Sequence, residues 1–293
     1  MMDISWGLRW ELFHFPILAA LVAGVVCPLI GTMLYLRRTS FYGIALPQFA
    51  AAGIVFGFVV LPWWAAWFGL GDLTPDEALA DVHAALNYHF FWAAVFTFGG
   101  LFSLVWLGRR GGNEIGRVAA AFALANASTY LFGRISPVGM SFVAELLQAE
   151  ILSVGLHEFE VIAGAYGLVF GVMWCFHRDF VLVSFDRDYA QVLGRSTLRL
   201  ELLLNGLIGI TVAVGTIIVG PTLIFGLLVI PTLVARRWVH SMGRFLVLSS
   251  LIGLVSVGLG VVLSFELDLP LGAAIVAASL ILLLPGACLR RRA

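Results

Sequence analysis

The residues of this sequence that could do chemistry are few, and their spacing excludes common enzyme motifs. The six histidines include no pair four residues apart, so the zinc-protease motif H-E-x-x-H is absent. The nucleophile motif G-x-S-x-G is absent too. All 17 basic residues are arginine, which excludes both a P-loop and Schiff-base chemistry because each requires a lysine. We therefore predict no catalytic residue and no cofactor in this chain, and we expect any ATP to be bound by a separate subunit.

Gln48 is the polar residue with the clearest functional context. It follows Pro47 within an apolar run, and a proline inside a helix removes one backbone hydrogen bond and frees the carbonyl of Gly43. Helix breaks beside polar groups are typical of substrate paths in transporters. Thr222 stands in a similar position after a Gly-Pro pair. We predict that Gln48, Pro47 and Thr222 line a substrate pathway.

The elements that position these residues are apolar helices. The sequence is 61% hydrophobic and 12% charged, and its apolar runs match the thickness of a bilayer core. This composition predicts an all-α polytopic membrane protein that forms one transmembrane domain over residues 1–293. The predicted runs are 13–36, 43–68, 90–107, 118–135, 157–177, 201–220, 221–235, 244–265 and 270–289. The run 221–235 is short and contains Pro231, so we expect a half-helix or re-entrant piece there.

Arginine positions set the predicted orientation. If the N-terminus lies outside, all arginines except Arg9 and Arg134 fall on the inner side of the membrane, as the positive-inside rule requires. We predict eight or nine spans, with the N-terminus outside, the C-terminus inside and the protein in the cytoplasmic membrane. The formal net charge of zero argues against nucleic acid as a partner.

Three segments outside the spans carry further predictions. Residues 69–89 form an external insert, in which Thr74-Pro75 would start a short helix over 75–88. Residues 136–156 predict an amphipathic external helix. Residues 178–199 form a cytoplasmic segment in which Asp186 is a good N-cap and Gly194 a good C-cap. The short helix between these caps carries Tyr189, Ala190, Val192 and Leu193. A capped helix of this kind suits insertion into a groove on a partner protein.

Taken together, four segments resemble the membrane-spanning permeases of the zinc/manganese family of ABC importers. In chain order they are 36–48, 184–194, 219–236 and 264–276. The resemblance implies a homodimeric permease, two copies of a separate ATPase, an extracytoplasmic solute-binding protein and alternating access. It also implies that Asp186, Tyr189, Ala190, Leu193 and Gly194 belong to the loop that couples to the ATPase.

The same resemblance identifies where members of the family hold their metal. They typically carry an aspartate and a histidine four residues apart in the second span, and the matching positions here are Ile44 and Gln48. Isoleucine cannot ligate a metal, and glutamine is a poor zinc ligand. The resemblance implies a divalent metal ion or a metal-related solute as the cargo, whereas Ile44 and Gln48 favour a cargo that needs no carboxylate of this protein. The alternatives are a chelated metal or non-metal solute carried by an ABC permease, and an ATPase-independent secondary transporter.

Overall fold

The computed structural model describes residues 6–67, 82–108, 113–136, 154–239 and 241–283. The chain in these ranges is helical and contains no strand. Ten helices follow one another: α1 Trp6–Leu36, α2 Tyr42–Trp67, α3 Val82–Gly108, α4 Glu114–Ile135, α5 Leu156–Phe185, α6 Arg187–Val192, α7 Thr197–Ile218, α8 Pro221–Trp238, α9 Met242–Leu267 and α10 Leu271–Ile281.

Each predicted apolar run overlaps one of these helices, although residues 68 and 284–289 of two runs are not among the described residues. Within the described residues, seven helices are long and apolar enough to cross a membrane, namely α1, α2, α3, α5, α7, α8 and α9. Helix α4 has 22 residues but carries Glu114 and Arg134 at its ends, and α10 is shorter. The all-α membrane fold is confirmed, whereas the full number of spans and the outward N-terminus stay predictions.

The expectation of a half-helix after Gly220 is wrong. Helix α8 runs without interruption through Pro231 for 18 residues, a length of about 27 Å that approaches the thickness of the hydrocarbon core. Membrane helices tolerate proline where neighbouring groups satisfy the freed backbone. Here α8 is held in place around Pro231 by packing against α1, α2, α9 and α10. The helical backbone is interrupted instead before Pro221, where Gly220 has a φ of 95° in the connection between α7 and α8.

Two predicted external segments fall largely outside the described residues. Helix α3 begins at Val82 and continues into the membrane span, so residues 82–88 do not belong to a separate external helix. The start of that predicted helix and most of 136–156 are not among the described residues.

Helix α1 is the centre of the packing. It contacts α5, α8 and α9, and 78% of its most apolar stretch is buried. Small hydroxyl groups join the helices, as expected for membrane proteins. Thr32 Oγ1 lies 3.0 Å from Ser249 Oγ across the α1–α9 contact, and the Tyr166 hydroxyl donates to the Thr211 carbonyl at 2.9 Å across the α5–α7 contact. Helix α2 packs against α3, α4, α7 and α8, which holds the segment containing Gln48 at the edge of this core.

Candidate coupling helix and translocation path

Helix α6 is a separate six-residue helix closed at both ends by hydrogen bonds. Asp186 has an extended backbone, and its Oδ1 accepts the Tyr189 N–H at 2.9 Å. At the other end Gly194 has a φ of 73° and its N–H donates to the Gln191 carbonyl at 2.9 Å. The Arg195 N–H donates to the Ala190 carbonyl at 3.0 Å, which completes a Schellman motif. The two caps that the sequence predicted are both present.

Ion pairs and one buried residue anchor α6 to the helices on either side. Ala190, on the inner side of α6, is fully buried. Arg187 Nε lies 3.1 Å from Glu201 Oε1 on α7, and Arg195 Nε lies 3.4 Å from Asp179 Oδ1 on α5. These contacts fix the direction in which α6 points, because they tie it to two membrane helices at once.

The outer side of α6 is apolar and open. Tyr189 is 54% exposed, Val192 83% and Leu193 53%, and Phe185 just before the helix is 74% exposed. This patch lies at the arginine-rich end of the molecule, where the sequence predicts the cytoplasm. An apolar patch rimmed by charged residues in an aqueous region is typical of a protein–protein contact.

A polar network leads from α6 to the turn between α1 and α2. Glu201, the partner of Arg187, lies one turn before Asn205 on α7, and Asn205 Oδ1 accepts from Arg37 Nη1 at 2.8 Å. Burial lowers the pKa of Arg37, while the negative charge of Glu201 raises it. Sequence reasoning missed this network because its members are distant in the chain. The sequence feature that could have indicated it is Glu201, an acid near the start of the helix that follows the short helix bearing Arg187.

Ile44 and Gln48 lie on one face of α2, four residues apart, and both are partly exposed. Pro47 between them is buried. Helix α2 approaches α8 nearby, since a Cβ built on Gly43 would lie 3.3 Å from a methyl group of Val229. Thr222 is exposed on α8, two turns before Val229. The predicted path residues are thus placed on two adjacent helices and near their open surface, apart from Pro47.

The described part of the chain holds no group of three or more His, Cys, Asp or Glu side chains that could bind a metal ion. Ile44 and Gln48 supply an alkyl chain and a neutral amide, and neither is a ligand that zinc prefers.

Residues 10–70 and 84–290 match the model of the ABC 3 transport family. The match covers most of the chain, and the chain therefore belongs to the ABC 3 transport family. The interval between the two matched stretches lies within the predicted insert 69–89. The predicted family resemblance is confirmed, as is its implication that the chain is a permease of the cytoplasmic membrane.

Curated relatives extend this similarity over nearly the whole chain. The chelated iron transport system membrane protein YfeD of Yersinia pestis is 25% identical over 283 residues, which is 94% of this chain and 86% of that protein. The manganese import system permease protein ScaB of Streptococcus gordonii is 25% identical, covering 93% and 90% of the two chains. Among solved structures, PsaBC from Streptococcus pneumoniae in complex with Fab superposes with a TM-score of 0.72 at 20% identity, over 94% of this chain and 92% of that one. That structural likeness establishes the shared fold.

Proposed function

We propose that the chain is the membrane-spanning subunit of an ATP-driven importer that moves a divalent metal ion or a metal-related solute by alternating access. Two copies would enclose the path, each would engage one ATPase subunit, and an extracytoplasmic solute-binding protein would deliver the cargo. ATP would be bound by the ATPase, since this chain has no lysine for a P-loop. The observation that carries the proposal is α6, a short helix anchored on its inner side and apolar on its outer side.

The contacts of α6 suit a part that receives force from another protein. A docking helix must be held firmly, because a loosely attached helix would yield to its partner without moving the membrane helices. The burial of Ala190 and the ion pairs from Arg187 and Arg195 together supply that attachment to α7 and α5. Tyr189 and Leu193 lie four residues apart on the open side, the spacing with which a helix fills a groove on its partner.

The choice of cargo rests on two observations that point in different directions. The names of the relatives refer to manganese and to chelated iron, which supports a metal cargo. Ile44 and Gln48 offer no strong metal ligand, which favours a metal that arrives wrapped in a chelator. A chelated metal satisfies both observations and is our second candidate for the cargo.

Co-purification with the cognate ATPase tests the coupling role. Tyr189→Asp and Leu193→Asp place a carboxylate in the apolar patch, and we expect each to abolish recovery of the ATPase while the permease still inserts and purifies. Leu269→Asp is the matched control, because Leu269 is a 44% exposed leucine between α9 and α10, away from α6. Retention of the ATPase by both α6 variants would overturn the assignment of α6.

Uptake into proteoliposomes containing the assembled transporter tests the cargo. Free manganese, free zinc and chelated iron would be offered separately, with and without ATP. A metal importer takes up at least one of them only when ATP is present. Uptake at the same rate without the ATPase would favour a secondary transporter, and the absence of uptake of every metal form would favour a non-metal solute.

A further inference from the structure

A long groove runs along the surface between α5 and α9, with α1 as its floor. Its deeper part has a volume of about 420 Å³ and lies between Val25 and Leu29 of α1, the face of α5 from Phe170 to His177, and the face of α9 from Gly243 to Leu254. A second depression of about 500 Å³ continues from it towards the end of α5 and is lined by Arg178 and Phe185. His177, Gly243 and Leu246 line both parts, so the two form one continuous groove.

The groove changes character along its length. Its walls are almost entirely apolar between Leu254 and Gly243, and the hydroxyl of Ser250 is already satisfied by the Val25 carbonyl at 2.9 Å. At the arginine-rich end the exposed Arg178 joins the lining, beside His177 and apolar residues such as Val181 and Leu182. The groove therefore has an apolar part and a cationic mouth.

The dimensions of the apolar part match one leaflet of a bilayer. The stretch from Gly243 to Leu254 spans about 16 Å along α9 at the rise of an α-helix. A hydrocarbon core of about 30 Å gives each leaflet roughly half that depth. An acyl chain in this groove would begin at the mouth, near the arginines that mark the membrane boundary, and would end near the middle of the membrane.

The two helices that form the walls of the groove are largely exposed on the outside of this chain. Only 22% of the apolar stretch of α5 is buried, and 39% of that of α9. Trp174 at the groove wall is 71% exposed and stacks against Phe170, with ring centroids 6.2 Å apart. Aromatic side chains of this kind are enriched where membrane helices meet the headgroup region.

We propose that this groove is a binding site for one anionic phospholipid of the inner leaflet. An acyl chain would occupy the apolar part between α1, α5 and α9, and Arg178 would contact the phosphate at the mouth. A phosphate paired with an arginine gains a charge-assisted hydrogen bond, and cationic residues at the membrane surface favour anionic lipids. The bound lipid would support α5 immediately before α6, the helix to which the proposed function assigns coupling.

Lipid retention tests the site. The full-length protein would be reconstituted into vesicles of equal parts phosphatidylglycerol and phosphatidylcholine, extracted in mild detergent and weighed intact by native mass spectrometry. We expect wild-type protomers to retain one phosphatidylglycerol in preference to phosphatidylcholine. Equal retention of the two lipids, or retention of neither, would overturn the proposal.

Two variants with matched controls localise the lipid. A Cβ at Gly243 or at Gly258 meets no atom within 4 Å, so a side chain can start at either position without a clash, but only Gly243 lines the groove. Gly243→Trp should remove the retained lipid and Gly258→Trp should keep it. Arg178→Gln should lower the preference for phosphatidylglycerol about five-fold, the effect of one arginine at a membrane surface, whereas Arg199→Gln on α7 should not.

The same spectra report whether a second copy of the chain occupies the groove instead. Loss of the dimer without any change in lipid retention in Gly243→Trp would assign the groove to a protein contact and refute the lipid site. Because Arg178→Gln alters only an exposed side chain, its result stands even if the tryptophan variant fails to fold. Recovery of the ATPase by these variants would be measured separately, which keeps the test independent of the coupling role of α6.

Discussion

The α6 segment and the Ile44–Gln48 face of α2 are built in opposite ways. Caps at both ends and ion pairs to Glu201 and Asp179 hold α6, so its position depends on directional contacts. The α2 face is held from behind by apolar packing, with Ala45 and Leu46 fully buried. Ile44 and Gln48 on its other side are partly exposed. In the proposed function, α6 depends on its geometry, whereas the side chains of the α2 face determine what that face can bind.

The largest expected effect is a gain of metal binding at the α2 face. Ile44→Asp together with Gln48→His would place a carboxylate and an imidazole one helical turn apart, the ligand types that zinc prefers. We expect affinity for zinc or manganese to rise roughly 100-fold or more, measured as metal retained by the purified protein after equilibrium dialysis.

The control for this gain is Ile44→Asn with Gln48→Asn, which adds polarity without adding a strong ligand. ATPase recovery should be the same in wild type and both double variants, because α6 is unchanged. Stoichiometric metal bound in the membrane region of the wild-type protein would contradict the statement that the α2 face lacks strong metal ligands.

The next largest effect is expected at Gly194, which follows α6 and has a left-handed backbone conformation. Gly194 has a φ of 73°, a conformation that costs a side chain about 1–2 kcal/mol and a β-branched one more. Gly194→Val should therefore unwind the end of α6 and lower ATP-dependent uptake about ten-fold. Gly194→Asn, which tolerates this conformation, should retain most of the uptake, and equal loss in both variants would argue against a role for the cap.

A smaller effect is expected from the network behind α6. Glu201→Gln removes the ion-pair partner of Arg187. It also removes the negative charge that raises the pKa of Arg37. Because the Arg187 side chain is 53% exposed, the pair itself contributes only about 1 kcal/mol or less. Uptake should fall a few-fold with cargo preference unchanged. Glu266→Gln, an exposed acid at the far end of α9, serves as the control and should leave uptake at the wild-type rate.

The smallest effect should follow loss of the N-cap. Asp186→Ala removes the acceptor for the Tyr189 N–H and should cost about 0.5–1 kcal/mol of local stability. Hydrogen exchange of the amides in α6 would measure this as faster exchange confined to that helix, and Asp186→Ser should restore protection. Unchanged exchange in Asp186→Ala would mean that the N-cap does not contribute to holding the helix.

Local signals in the sequence predicted much of this architecture. The apolar runs marked the helices, and Asp186 and Gly194 marked the ends of α6 because caps act on residues a few positions away. Pro231 misled the prediction, since the packing that stabilises α8 around it comes from distant helices. The contacts of Arg187 with Glu201 and of Arg37 with Asn205 join separate parts of the chain, so no local pattern announces them. The roles of Gln48, Pro47 and Thr222 stay predictions.

The connection at Gly220 has a mechanical consequence. Helix α7 begins five residues after α6 and forms a rod of 22 residues, about 33 Å long, with Glu201 near its first turn tied to Arg187. Only Val219 and Gly220 separate its far end from α8, so a displacement of that end would reach α8 across a link of two residues. A tilt imposed on α6 would therefore be transmitted along α7. Thr222, near the start of α8, would move with the far end of α7, although it lies a full membrane thickness away from α6.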